Sequence, residues 1–240
     1  MSVWTMGNSA KLYCLNWIEQ FVLQKAGEVK ILDLGCGTAL NFVNLLKAYP
    51  RIQYVGIEPS KASCLRAQQN LSSLNARVIN SYAYEMYEQL KEKFDIIVSF
   101  SVLEHVYRRM DYLRSAHDCL KDDGYFLVNY DAAHIFSWGE RLSKSIGLLL
   151  AFFGIEKYYV SLVKDKDFLE MIEKLGFRII DSKFFSTGLK RTFKLIPESY
   201  RTEYMKRWLE FELWLNELGI DYNDSKASSL RTRNFILARK

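Results

Sequence analysis

Between Val29 and Asn129 the chain repeats one pattern: a short run of apolar and β-branched residues, then a stretch with helical periodicity. The apolar runs are Val29–Leu34, Ile52–Ile57, Arg77–Asn80, Phe94–Phe100 and Tyr125–Asn129. The intervening helices are read over Ala39–Tyr49, which stops at Pro50, and from about Ser60 to Leu71. Strands separated by helices of about 10–15 residues cannot pair as hairpins, so the pattern predicts parallel β-α-β units with right-handed crossovers. Such a sheet binds its ligands beyond the carboxyl ends of the strands. The segments to inspect are therefore Asp33–Thr38, Glu58, Ser81–Tyr84, Phe100–His105 and Tyr130–His134.

The first of these carries the clearest signal. In Ile31-Leu32-Asp33-Leu34-Gly35-Cys36-Gly37-Thr38 an apolar strand runs into a glycine turn and then a helix. Glycines let the backbone turn tightly and approach a ligand closely. The helix start is expected to offer free N–H groups to an anion, and Asp33 an acceptor for an ammonium. About 20 residues after the loop, Tyr54-Val55-Gly56-Ile57-Glu58-Pro59-Ser60 ends the second strand on a carboxylate suited to ribose hydroxyls. A dinucleotide fingerprint would need a third glycine where Leu40 stands. A smaller ligand without pyrophosphate is the better reading.

These residues resemble the S-adenosylmethionine (SAM) signature of Rossmann-fold, class I methyltransferases, as do Phe94-Asp95-Ile96-Ile97-Val98-Ser99, Val102-Leu103-Glu104-His105-Val106 and Leu120-Lys121-Asp122-Asp123-Gly124-Tyr125. The likeness covers about residues 29–130 and points to the small-molecule branch. It implies an α/β fold with a seven-stranded, mostly parallel sheet of order 3-2-1-4-5-7-6, strand 7 antiparallel. It also implies transfer of a methyl group from SAM, with S-adenosylhomocysteine as product. The cofactor set it implies is Asp33, Gly35, Cys36, Gly37, Glu58, Pro59, Tyr82, Ala83, Phe100 and Ser101. Within it Asp33, Gly35 and Gly37 hold the methionine end, Glu58 the ribose, and Phe100-Ser101 the floor. The family often has Asp-Ala after the third strand, whose carboxylate takes the adenine amino group. This chain has Tyr82-Ala83, so adenine is expected on or beside Tyr82.

Methyl transfer needs alignment above all, and a general base only when the acceptor must lose a proton. His105 and His134 follow the fourth and fifth strands and are the candidate bases; His117 reads as structural. The segment Ser101–His105 is similar to a Glu-x-x-Glu-His metal motif of some O-methyltransferases, but Ser101 replaces its first Glu. Glu104 and His105 therefore read as the opening of the next helix, and no metal is expected.

The whole of 1–240 reads as one domain, with insertions at about 132–163 and 187–230 as a lid over the acceptor. Helices are expected over 9–25, Asp165–Leu175 and Glu198–Leu218, and strands over Phe177–Phe185 and Asn234–Ala238. The apolar run Ile146–Phe153 reads as a buried helix or dimer contact, with contact to a membrane surface the less favoured reading. It is about half the length of a membrane span. Trp208, Phe211, Trp214 and Leu215 read as a core-packing stripe.

Four scattered cysteines and a start without a basic-then-apolar leader read as a soluble cytoplasmic protein. Residues 186–240 hold +4 of the net charge of +5, spread among acids, which reads as a solvated helix face. The expected acceptor is a small, hydrophobic metabolite methylated on oxygen or nitrogen, with no nucleic-acid partner, by a monomer or homodimer. An RNA or protein methyltransferase using the basic C-terminal segment is the alternative within the enzyme class. A SAM-binding protein without turnover is the rival outside it.

Overall fold

A computed structural model describes residues 8–132, 146–186, 189–220 and 231–240, with side chains left out at 157, 190 and 191. Seven strands form one sheet of order β3-β2-β1-β4-β5-β7-β6. The strands are β1 (Val29–Leu34), β2 (Ile52–Ile57), β3 (Ala76–Ile79), β4 (Phe94–Phe100), β5 (Leu120–Asp131), β6 (Phe177–Phe185) and β7 (Thr232–Arg239). Strands β1 to β5 pair in parallel, and β7 runs antiparallel to both β5 and β6. The sheet order and the antiparallel seventh strand are those that the family resemblance implies.

Helices cover both faces, as strands buried on two sides require. On one face lie α1 (Ser9–Gln24), α2 (Val43–Ala48) and α3 (Lys61–Asn70), which bury Leu15, Ile18, Leu45 and Ala67 against Ile31, Ile96 and Ile236. On the other lie α4 (Met86–Leu90), α5 (Arg109–Cys119) and α6 (Asp165–Lys174), which bury Met86, Leu113 and Phe168 against Leu34, Ile97 and Phe126. The long helix α7 (Arg201–Glu217) adds Met205, Trp208 and Leu209 to the first face. Its exposed side carries charge pairs one turn apart, Arg207 with Glu203 and Lys206 with Glu210.

Several expectations are corrected. Helix α2 begins at Val43 rather than Ala39, because Ala39 takes a left-handed φ of 57° that breaks the helical run. Strand β5 begins at Leu120, which pairs with Phe94; Lys121–Gly124 then bulge out of the register, and pairing resumes with Tyr125 opposite Ile96. The stripe on α7 does not pack as one face. Trp208 is buried, but Phe211 and Trp214 are each 51% exposed. Steps of three residues rotate about 60° off the axis each time, whereas Met205, Trp208, Leu209 and Glu212 follow the helical period and face inward. Residues 146–152 are helical but inverted relative to a buried helix: Gly147 and Ala151 face inward, while Leu149, Phe152 and Phe153 are 61%, 70% and 72% exposed. A Cβ on Gly147 would lie 2.3 Å from the Tyr158 carbonyl oxygen, so only glycine permits this approach.

Candidate functional site

The carboxyl ends of β1 and β2 meet in a tight, largely pre-formed turn. The N–H groups of Gly35 and Cys36 both donate to the Ile57 carbonyl, at 2.8 and 3.0 Å. Gly35 and Gly37 take φ values of 86° and 57°, in the left-handed region that glycine adopts without cost. A Cβ on Gly35 would lie 2.6 Å from a Val102 methyl, so the turn rests directly on the segment after β4. A Cβ on Gly56 would lie 2.8 Å from Cys36 Sγ, so β2 also needs glycine where the turn crosses it.

Glu58 locks the turn from the second strand. Its Oε2 accepts the Gly37 N–H at 2.9 Å and its Oε1 accepts the Ser60 N–H at 2.8 Å. The Asn80 amide in turn donates to the carbonyls of Glu58 and Pro59 at 2.8 and 3.0 Å, tying β3 to the same corner. A carboxylate accepts at about four lone-pair sites, so each Glu58 oxygen keeps capacity for a ligand hydroxyl. Asp33 is 3% exposed and accepts the Tyr54 hydroxyl at 2.7 Å. Burial pushes its carboxyl up to about 7, against the downward pull of that hydrogen bond. It is a buried acid that gains from a cationic partner.

One expectation fails here. Helix α2 starts too late for its N-terminus to serve the loop, and the N–H groups of Gly35, Cys36 and Gly37 are already engaged within the protein. Cys36 contributes shape: its thiol is buried, and that burial pushes its pKa up.

Phe100, expected as the floor, stacks on Phe42 at 6.2 Å and 10°, with Phe42 against Tyr54 at 5.1 Å. One aromatic train thus links Phe100 to the hydroxyl that holds Asp33. Ser101 takes a left-handed φ of 60° and is fixed there by its N–H, which donates to Asn129 Oδ1 at 3.0 Å and to the Asn129 carbonyl at 3.1 Å. Strain of this kind persists where surroundings over-determine it, and it clusters at functional sites. His105 ends the short 3₁₀ turn Leu103–His105, exposed, with Nδ1 3.3 Å from the Tyr159 carbonyl. Glu104 beside it is buried. Among the described residues no three His, Cys, Asp or Glu side chains converge as a metal site would require. His134 lies outside the described residues.

Tyr82 lies on a cleft of about 450 Å³ that no residue of the glycine turn lines, with Ser81, Gln89, Tyr107, Phe152 and Glu156 among its walls, while Ala83 is buried in the core. Tyr82 is 40% exposed and stacks on Tyr84 at 6.1 Å. The Tyr84 hydroxyl donates to both Glu156 oxygens, at 2.7 and 2.6 Å, and the Arg108 guanidinium lies over the Tyr84 ring at 4.0 Å. Sequence reasoning missed this cluster. Tyr84 stands two residues from Tyr82, but nothing local marks Glu156, which lies 72 residues from its partner.

Comparison with known proteins agrees with the geometry. The family described as a methyltransferase domain matches residues 32–126, the part of the chain that holds the turn, the Glu58 corner and Phe100. The sheet around that match has the Rossmann-like fold of solved methyltransferases. The domain is 27% identical over 107 residues to the ubiquinone biosynthesis O-methyltransferase of Bradyrhizobium diazoefficiens, covering 43% of this chain and 40% of that protein. The chain thus matches about two fifths of the length of such curated relatives. Among solved structures, the cyclopropane synthase MmaA2 of Mycobacterium tuberculosis superposes with a TM-score of 0.59 and 19% identity, covering 94% of this chain and 84% of that one. The [4+2]-cyclase SpnF superposes with a TM-score of 0.58 and 18% identity, covering 93% and 80%. The fold is shared across several chemistries, so the reaction has to be argued from the site. No helix of the described residues is long and apolar enough to cross a membrane.

Proposed function

We propose that this domain binds S-adenosylmethionine and transfers its methyl group to an oxygen or nitrogen of a small, hydrophobic metabolite, releasing S-adenosylhomocysteine. The observation that carries the reading is the pairing of two carboxylates around one open glycine turn: Asp33 from β1, buried, and Glu58 from the end of β2, bonded to Gly37. An ammonium and a pair of ribose hydroxyls are the ligand groups this pair suits. No heavy atom comes within 4 Å of where a Gly37 Cβ would stand, so the turn has room for a ligand.

When bound, the cofactor supplies an electrophilic methyl on a sulfonium; the chain's task is to align an acceptor with it. Phe100 and Ser101 form the floor against which that alignment is set. His105 is the proposed general base where the acceptor must lose a proton: a hydrogen bond from Nδ1–H to the Tyr159 carbonyl would leave Nε2 free to accept one. His134 is proposed for the same role from the end of β5. The insertions are proposed as the acceptor lid. The exposed Leu149, Phe152 and Phe153 support a hydrophobic acceptor, as does likeness to ubiquinone biosynthesis O-methyltransferases.

The test is to incubate the protein with SAM and a panel of lipophilic phenols and amines, and to measure S-adenosylhomocysteine release and product mass. Gain of one methyl group on a small acceptor, lowered by His105→Ala, supports the reading. Methylation of RNA or protein alone, or tight SAM binding with no turnover on any acceptor class, overturns it.

Tyr82→Ala is expected to weaken SAM binding about three- to tenfold by titration, since an aromatic stacking contact is worth about 0.5–1.5 kcal/mol. Unchanged affinity would show that Tyr82 only packs on Tyr84.

A further inference from the structure

We infer that Glu156, carried in from the insertion after β5, is the carboxylate that receives the exocyclic amino group of adenine. The inference rests on the cofactor reading above and names a residue for it that lies outside the matched region. After β3 the chain runs Ser81-Tyr82-Ala83-Tyr84-Glu85, whose one carboxylate, Glu85, is exposed to solvent. The fold supplies a buried one from elsewhere. Glu156 lines the same cleft as Tyr82, is 9% exposed, and stands in a short 3₁₀ turn, Glu156–Tyr158.

Its orientation is fixed on one side only. The Tyr84 hydroxyl donates to both oxygens, and the Tyr107 N–H donates to Oε2 at 3.3 Å. Burial and the adjacent Glu156 carboxylate hold the Tyr84 hydroxyl in its protonated, donating form. A carboxylate has about four acceptor positions, so Oε1 keeps one for a further donor. A buried carboxylate held by neutral donors selects an N–H₂ group over a carbonyl, because it can only accept. Glu85 lines the same cleft but is exposed. A solvated carboxylate discriminates far less. Stacking on Tyr82 and acceptance by Glu156 together describe an aminopurine subsite within this cleft.

The test compares the affinity of S-adenosylhomocysteine with that of its purine analogue lacking the 6-amino group, by calorimetry, in the unaltered protein and in two variants. The unaltered protein is expected to prefer the amino form about tenfold or more, the effect of a hydrogen bond to a charged acceptor. Glu156→Ala should reduce that preference to within about twofold, and Glu156→Gln, which keeps an acceptor for Tyr84, should give an intermediate value. If Glu156 served only to hold Tyr84, both ligands would weaken equally and the tenfold ratio would survive. Equal affinity of the unaltered protein for the two ligands would also overturn the inference, whether or not either variant folds. Failure to bind either ligand would instead refute the cofactor reading, and this assignment with it.

Discussion

Asp33→Asn is expected to raise the thermal stability of the protein at pH 8 while lowering its affinity for SAM by about thirtyfold or more. Both effects follow from burial. The folded state holds the carboxyl at about 7 against an ordinary value of 3.8, so between those values it keeps a proton that the unfolded chain has lost. The contribution of this group to stability is therefore full below about pH 4 and is lost as the pH rises through 7. Above pH 7 the buried charge costs roughly 4 kcal/mol, an upper figure for about three pKa units. Asparagine carries no charge, and its amide oxygen can still accept the Tyr54 hydroxyl. Removing the anion that meets a buried ammonium costs about 2–5 kcal/mol of binding. Thermal unfolding at pH 8 and pH 5 checks the first part: the variant's advantage should shrink at the lower pH. A variant less stable at pH 8, or one that binds SAM as before, would contradict the assignment.

Gly35→Ala is the second large effect, and it acts in the opposite direction on stability. Alanine at a φ of 86° costs about 1–2 kcal/mol for the left-handed backbone. The new methyl would lie 2.6 and 2.9 Å from the two Val102 methyls, an overpacking of about 1–3 kcal/mol. A loss of about 2–5 kcal/mol in urea unfolding is expected, with SAM affinity reduced more than tenfold, because relief of the clash must move the turn or the floor segment. Gly37→Ala separates the two causes. Its φ of 57° carries a backbone cost, but no atom stands within 4 Å of the added methyl. It should therefore cost only about 1–2 kcal/mol of stability. Equal destabilisation by the two variants would show that Val102 does not constrain the turn.

What the sequence disclosed is set by how local each device is. The turn needs left-handed backbone at two positions, and only glycine supplies that cheaply, so Gly35 and Gly37 announce it. The strands around it are short, apolar and buried on both faces; Val29–Leu34, Ile52–Ile57 and Phe94–Phe100 stand where their composition puts them. Ala39 shows the limit of this. It is a strong helix former, but the turn before it forces its φ to 57°, and α2 starts four residues later. The start of β5 was hidden for a similar reason. Lys121-Asp122-Asp123-Gly124 has turn composition and bulges out between the pairs Phe94–Leu120 and Ile96–Tyr125, so the strand's first residue stands apart from its apolar run. The Glu156–Tyr84 contact is a tertiary event inside an insertion whose local pattern carries no trace of it. The apolar run 146–153 misleads in another way. Its large residues suggested burial, but close approach to Tyr158 at Gly147 turned the small face inward.

The most direct test of the central claim is a calorimetric titration of the purified protein with SAM and S-adenosylhomocysteine, with NAD as control, repeated on Glu58→Ala. That substitution removes the acceptor of the Gly37 and Ser60 N–H groups together with the proposed ribose partner. The account predicts saturable micromolar binding of both adenosyl ligands, no binding of NAD, and loss of about tenfold or more in the variant. Binding of NAD alone, or of none of the three, or an unaltered affinity in Glu58→Ala, would contradict it.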